Sequence, residues 1–162
     1  NIIHIGEILR FFPNAKFVFA LRHPYDSVLS CFMQQFTLNP AMKNFLSIEN
    51  SAVLYDLVMR LWTIYIKAFS INFHIIKYEN VVSNFEQTTK EVFKYIGLDW
   101  SDETENFYLT AKDRIDISTP SYNQVTSPIY LKSVSRWKNY EKHFKDAKEY
   151  LDKWVKQFDY KI

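Results

Sequence analysis

Arg22 stands directly after the unbroken apolar run from Phe17 to Leu21, and Ser30 follows eight residues later in a stretch with helical spacing. An arginine offers a planar, permanently charged fork that matches a phosphate, and a serine hydroxyl on the near side of a helix adds a donor. A helix that begins beyond the carboxyl end of a strand also aims unpaired N–H groups and a positive dipole end at an anion. By chemistry alone, Arg22 with Ser30 is a phosphate clamp. A structural alternative uses the same residues: Arg22 pairs with Asp26 or Glu79 at a strand end, and Ser30 bonds to a carbonyl one turn back. The residues by themselves leave both open.

The elements that would hold this pair can be read from the pattern. Ile2 to Phe12 has apolar residues at helical spacing (Ile5, Ile8, Leu9, Phe12) and stops at Pro13. The run Phe17 to Leu21 is short and rich in β-formers, and its lack of alternation predicts a central strand covered on both faces. Pro24 suits the first turn of a helix carrying Val28, Leu29, Phe32 and Met33. Thr37 to Asn44 is a loop. From about Ser51 an amphipathic helix runs to Phe69, with Leu54, Leu57, Val58, Leu61 and Tyr65 on one face and Trp62 and Tyr65 expected in the core.

A second strand spans Phe73 to Tyr78, and Ser83 with Glu86 reads as a capping box for a helix that ends before Gly97. A short helical segment lies near Thr104 to Ala111. Asp113 to Tyr130 is a long loop with Pro120 and Pro128, a length associated with function or mobility. The last helix, from Lys132, turns Phe144, Ala147, Leu151, Trp154, Val155 and Phe158 inward and its lysines outward. Strands followed by helices predict an α/β domain with a parallel sheet, and 162 residues suit a single core.

Composition narrows the partners. Twenty Lys and Arg against eighteen Asp and Glu give a net charge of +2, without the clustered basic surface of a nucleic-acid binder. The single cysteine, Cys31, excludes an internal disulfide and is expected to be a buried apolar residue; with the four histidines it has no metal-ligand spacing. Asp56, Arg60 and Lys67 interrupt the most apolar stretch, so it lacks the roughly 20 apolar residues of a membrane span.

Three pieces of this sequence resemble the sulfotransferase family. PNAKFVFALRHPYDSVLSCF is similar to the segment in which an arginine ending a strand and a serine eight residues on bind the 3′-phosphate of 3′-phosphoadenosine-5′-phosphosulfate (PAPS), matching Arg22 and Ser30. HIIKYENVV is similar to the strand whose tyrosine reaches the nucleotide, here Tyr78. PSYNQVTSPIYLKSVSRWKNYEKHF resembles the late loop and helix of the tyrosylprotein and tetratricopeptide-linked branches, with Ser121, Gln124 and Val125 in the loop and Arg136 before the tryptophan.

The resemblance implies a P-loop-like three-layer domain with a central parallel sheet flanked by helices, of which residues 1–162 would be the C-terminal part. It implies PAPS as cofactor, 3′-phosphoadenosine-5′-phosphate (PAP) as product, no metal, and a hydroxyl acceptor on a protein tyrosine or carbohydrate. In that reading Arg22 and Ser30 fix the 3′-phosphate and Tyr78 packs on the nucleotide. Arg136 pairs with a phosphate, and the loop bearing Gln124 covers the donor. Ser121 donates a hydrogen bond near the leaving oxygen.

The match has departures. Gln34 stands where the tyrosylprotein branch has a further arginine, and the family's Gly-rich 5′-phosphosulfate loop and general base are missing from these residues. His4, in the opening helix, and His23 are read as surface or helix-end histidines rather than substitutes for that base. The residues alone are therefore expected to show little or no transfer. A non-catalytic module on the same fold and a kinase-like phosphotransferase are the rival readings. Few cysteines and no glycosylation sequon point to the cytoplasm over the Golgi lumen.

Overall fold

A computed structural model describes residues 2–108, 126 and 133–161. It is a mixed structure of helices and a small parallel sheet. The opening segment forms a 3-10 turn at Ile2–His4 and helix α1 at Ile5–Phe11, and the chain turns at Pro13 as expected. Strand β1 (Lys16–Leu21) pairs with strand β2 (Asn72–Lys77), the two strands of the described sheet.

The expectation that β1 is covered on both faces is corrected. Phe19 and Leu21 are buried, whereas Val18 is 42% exposed and Ala20 is exposed as well. Successive side chains of a strand point to opposite faces. An unbroken apolar run records that both faces tolerate apolar side chains; it does not record that both are covered within this chain.

Two compact units divide the chain: residues 1–17, 22–73 and 135–162 in the first, residues 18–21 and 74–134 in the second. The first unit contains helix α2 (Pro24–Met33), a 3-10 segment at Met42–Leu46, helix α3 (Ile48–Ala68), a long 3-10 segment at Arg136–Ala147, and helix α6 (Lys148–Gln157). Its core joins Tyr25, Val28 and Leu29 of α2 to Ala52 of α3, Trp137 and Phe144 of the 3-10 segment, and Leu151 and Val155 of α6. Tyr25 adds a polar tie by donating its hydroxyl to Asp152 at 2.5 Å.

Helix α3 begins earlier than expected, because Ser47 caps it: the Ser47 hydroxyl accepts the Asn50 N–H at 3.1 Å. Ser51 lies inside the helix and donates to the Ser47 carbonyl at 2.7 Å. The buried face is also different. Ala52, Asp56, Met59 and Trp62 face inward, and Leu57 is 56% exposed. A carboxylate can replace a leucine on the buried stripe only where its charge is met. Asp56 meets that condition: Oδ2 pairs with Arg60 at 2.9 Å, and Oδ1 takes Lys153 at 2.6 Å and the indole N–H of Trp154 at 2.7 Å. Lys153, on the outward face of the last helix, stays half-exposed while its ammonium reaches this carboxylate. Trp62 is buried, packing edge-on to Phe73, and Tyr65 is half-buried.

The last segment keeps its expected inward residues, with Phe158 half-buried, but the stretch Arg136–Ala147 is 3-10 rather than α-helical. Such runs rarely exceed one turn, and nothing in its packing accounts for its length.

In the second unit, helices α4 (Tyr78–Ser83) and α5 (Phe85–Ile96) follow β2. The capping box is not formed. The Ser83 hydroxyl turns back to the Glu79 carbonyl at 2.8 Å inside α4, and Glu86 pairs instead with Lys90 one turn on. Asn84 is the residue before α5. The far end is as expected: Gly97 has φ 87°, and the Gly97 and Leu98 amides both donate to the Phe93 carbonyl at 2.9 and 3.0 Å, a Schellman-type close. Trp100 donates to the Thr89 hydroxyl at 3.0 Å and lies under Lys90, and His74 stacks on Tyr95. The 3-10 turn Asp102–Thr104 begins the expected short helical segment; its remainder beyond residue 108, and the loop Asp113 to Tyr130 apart from Thr126, lie outside the described residues. No described helix is long and apolar enough to cross a membrane.

Candidate functional site

The chain leaves β1 at Leu21 and enters α2 at Pro24, so Arg22 and His23 form the whole connection. Pro24 occupies the first helical position, where its fixed φ and missing N–H carry no penalty. The Ser27 amide closes the first turn onto the His23 carbonyl at 2.9 Å, and no side chain caps the helix. Arg22 and Ser30 are both half-buried in the first unit.

Asp26 is the hinge of this site. It sits in the first turn of α2, 1% exposed, with both carboxylate oxygens engaged by backbone amides from the far end of the chain: Oδ2 accepts from Ser135 and Oδ1 from Trp137, each at 2.8 Å. Burial pushes the Asp26 carboxyl above its ordinary range; the Trp137 amide, the Arg22 charge, the Ser135 amide and His23 pull the other way and offset it only in part. The Arg22 charge also acts on Cys31, whose thiol burial pushes up. The attraction to Asp26 that the structural alternative for Arg22 invokes is present, and the hydrogen bonds of that carboxylate go to the Ser135 and Trp137 amides.

Arg136 lies between the two amides that Asp26 holds. It is exposed and starts the long 3-10 segment. Ser135 before it has φ 56°, a left-handed conformation that costs a non-glycine residue of the order of 1–2 kcal/mol. Trp137 after it is buried, packed on Tyr25 at 4.5 Å between ring centroids and stacked on His23 at 5.3 Å. The backbone at Arg136 is pinned on both sides while its side chain is exposed.

Of the residues singled out from sequence, Arg22, Ser30 and Arg136 belong to the first unit and Tyr78 to the second. Tyr78 is not the last residue of a strand, as expected, but the first of α4, half-buried, because β2 gives way to a helix at Lys77. Ser121, Gln124 and Val125 lie outside the described residues. Gln34 is the residue at which α2 ends. His4 is exposed and pairs with Glu7 at 2.9 Å. His23 is a helix-end residue but not a surface one: it is buried, and its Nε2 lies 3.0 Å from the Lys161 carbonyl. Cys31 is half-buried rather than fully buried, because it borders an apolar cavity of about 160 Å³ between α2 and α3, with Val28, Phe45, Leu54 and Val58. That cavity has no charged lining.

Sequence reasoning weighed Asp26 only as a partner for Arg22. The sign it missed was an acid whose neighbours, Tyr25, Val28 and Leu29, all belong to the core.

The sequence profile of the sulfotransferase family matches residues 1–102. The chain belongs to the sulfotransferase family. The matched stretch includes Arg22, Ser30 and Tyr78 and stops before Arg136. A relative from Aquifex aeolicus (strain VF5), named only as an uncharacterized protein, is 26% identical over 163 residues, covering 98% of this chain and 21% of its own length. The chain therefore spans about a fifth of that relative.

Arg22, Ser30 and Arg136 all belong to the first unit, and both carboxylate oxygens of Asp26 beside them are engaged by backbone amides.

Proposed function

We propose that this sulfotransferase uses PAPS as donor, and that residues 1–162 form the C-terminal part of its single catalytic domain, a P-loop-like three-layer fold. The observation that carries the reading is the pair of amide bonds from Ser135 and Trp137 to Asp26, which ties the backbone at Arg136 to the first turn of α2, the helix that follows Arg22. Two residues 114 apart in sequence, each nominated as a phosphate ligand, thus belong to one hydrogen-bonded unit.

In this reading Arg22 and Ser30 hold the 3′-phosphate and Arg136 neutralises a second phosphate oxygen. Tyr78 packs on the nucleotide, Gln124 belongs to the covering loop, and Ser121 donates toward the oxygen that leaves the sulfur. Bound PAPS supplies an activated sulfuryl group. Sulfuryl transfer resembles phosphoryl transfer in that charge builds on the leaving oxygen, so positioning and electrostatic stabilisation dominate. The Gly-rich 5′-phosphosulfate loop and the general base come from the rest of the protein. The acceptor is a protein tyrosine or carbohydrate hydroxyl, in the tyrosylprotein and tetratricopeptide-linked branches of the family, and the compartment is the cytoplasm.

The test is a transfer assay on full-length protein with PAPS and tyrosine-containing peptides or glycans, following PAP release. Acceptor-dependent release supports the reading. Absence of PAP binding at millimolar concentration favours a non-catalytic module instead.

A further inference from the structure

We propose that Asp26 is a positioning residue of the donor site: by holding the amides on either side of Arg136, it makes Arg136 part of the site built on α2, so that Arg136 contributes to anion binding only while Asp26 is in place. The inference rests on the donor reading above and assigns a role to a residue outside the nominated ligands.

Three observations carry it. Asp26 accepts from Ser135 through one carboxylate oxygen and from Trp137 through the other, skipping Arg136, so neither bond can be kept if the segment slides by a residue. Ser135 is held in a left-handed conformation that serine does not favour, so the segment has a local tendency to relax away from this geometry. Arg136 is exposed, without an ion pair among the described residues that would place it independently. Its position is therefore set through its backbone, and its backbone is set by Asp26.

The groups facing Asp26 fit this role. Burial pushes the Asp26 carboxyl up, and Arg22 and His23, at the same end of α2, together with the two amides offset part of that push by attracting the charged form that accepts both bonds. An asparagine at position 26 keeps the size, but its amide NH2 repels one of the two N–H donors.

The experiment titrates PAP into the full-length protein as wild type, R22A, R136A, D26N and the double variant D26N/R136A. We expect R136A and D26N each to weaken PAP by about tenfold, as for loss of one charge-assisted contact, and the double variant to be no weaker than either alone within about threefold. Coupled groups give such non-additive losses, independent ones do not. Losses that multiply to about a hundredfold, or D26N binding as wild type while R136A is weakened, overturn the role of Asp26 and leave the donor reading intact. Unchanged binding by both R22A and R136A removes the donor reading instead, and the proposal with it. Should D26N not fold by circular dichroism, amide hydrogen exchange of the wild type replaces it: saturating PAP is expected to slow exchange at Ser135 and Trp137, and unaltered exchange counts against the proposal.

Discussion

The indole N–H of Trp154 donates to Oδ1 of Asp56 at 2.7 Å across 98 residues of sequence, and it does so in the interior, with Trp154 4% and Asp56 3% exposed. This bond ties α6 to α3. Arg60 and Lys153 complete the set from half-exposed positions. Asp56→Ala leaves a buried N–H without an acceptor and is expected to cost about 1–3 kcal/mol. Denaturant unfolding of the variant measures it; a loss below a few tenths of a kcal/mol would show the bond to be dispensable.

Asp56 also makes stability acid-sensitive. Burial alone would raise its pKa, but the hydrogen bonds from Lys153, Trp154 and Arg60 outweigh burial and hold it below the ordinary carboxylate range. A group depressed in the folded state contributes stability that is present above its unfolded pKa and is lost as pH falls through the folded one. Wild-type stability is expected to decline below about pH 4 more steeply than that of Asp56→Asn. Parallel pH profiles for the two proteins would remove Asp56 as the cause.

Ser135 and Gly97 share a left-handed backbone and differ in side chain. Ser135→Gly relieves the Cβ clash and is expected to raise stability by about 0.5–1 kcal/mol, whereas Gly97→Ala introduces it and costs about 1 kcal/mol. Thermal unfolding of the two variants should move in opposite directions; shifts of the same sign contradict the assignment of strain to Ser135.

Much of this architecture was legible because local rules decided it. Pro13 and Pro24 punctuated α1 and α2, the apolar run announced β1, and Gly97 ended α5 where a φ above zero was needed. What stayed hidden depended on partners far away in sequence. The periodicity of α3 puts Leu57 on its apolar face, whereas the burial of Asp56 rests on three groups that periodicity does not record, one from its own helix and two from α6. Glu86 was a correct residue for a capping box but had Lys90 within reach, and Ser83 had a carbonyl of α4. At the site, Arg22, Ser30 and Arg136 could be named from residue type and resemblance. The acid that joins them could not, because Asp26 works through backbone amides, and a backbone amide leaves no mark in a sequence.

The donor site is tested most directly by calorimetric titration of PAP into full-length wild type and Arg22→Ala. A charge-assisted bidentate contact to the 3′-phosphate predicts a loss of about 1.5–3 kcal/mol in the variant, at least tenfold in Kd. Equal affinity of the two proteins for PAP would contradict the account.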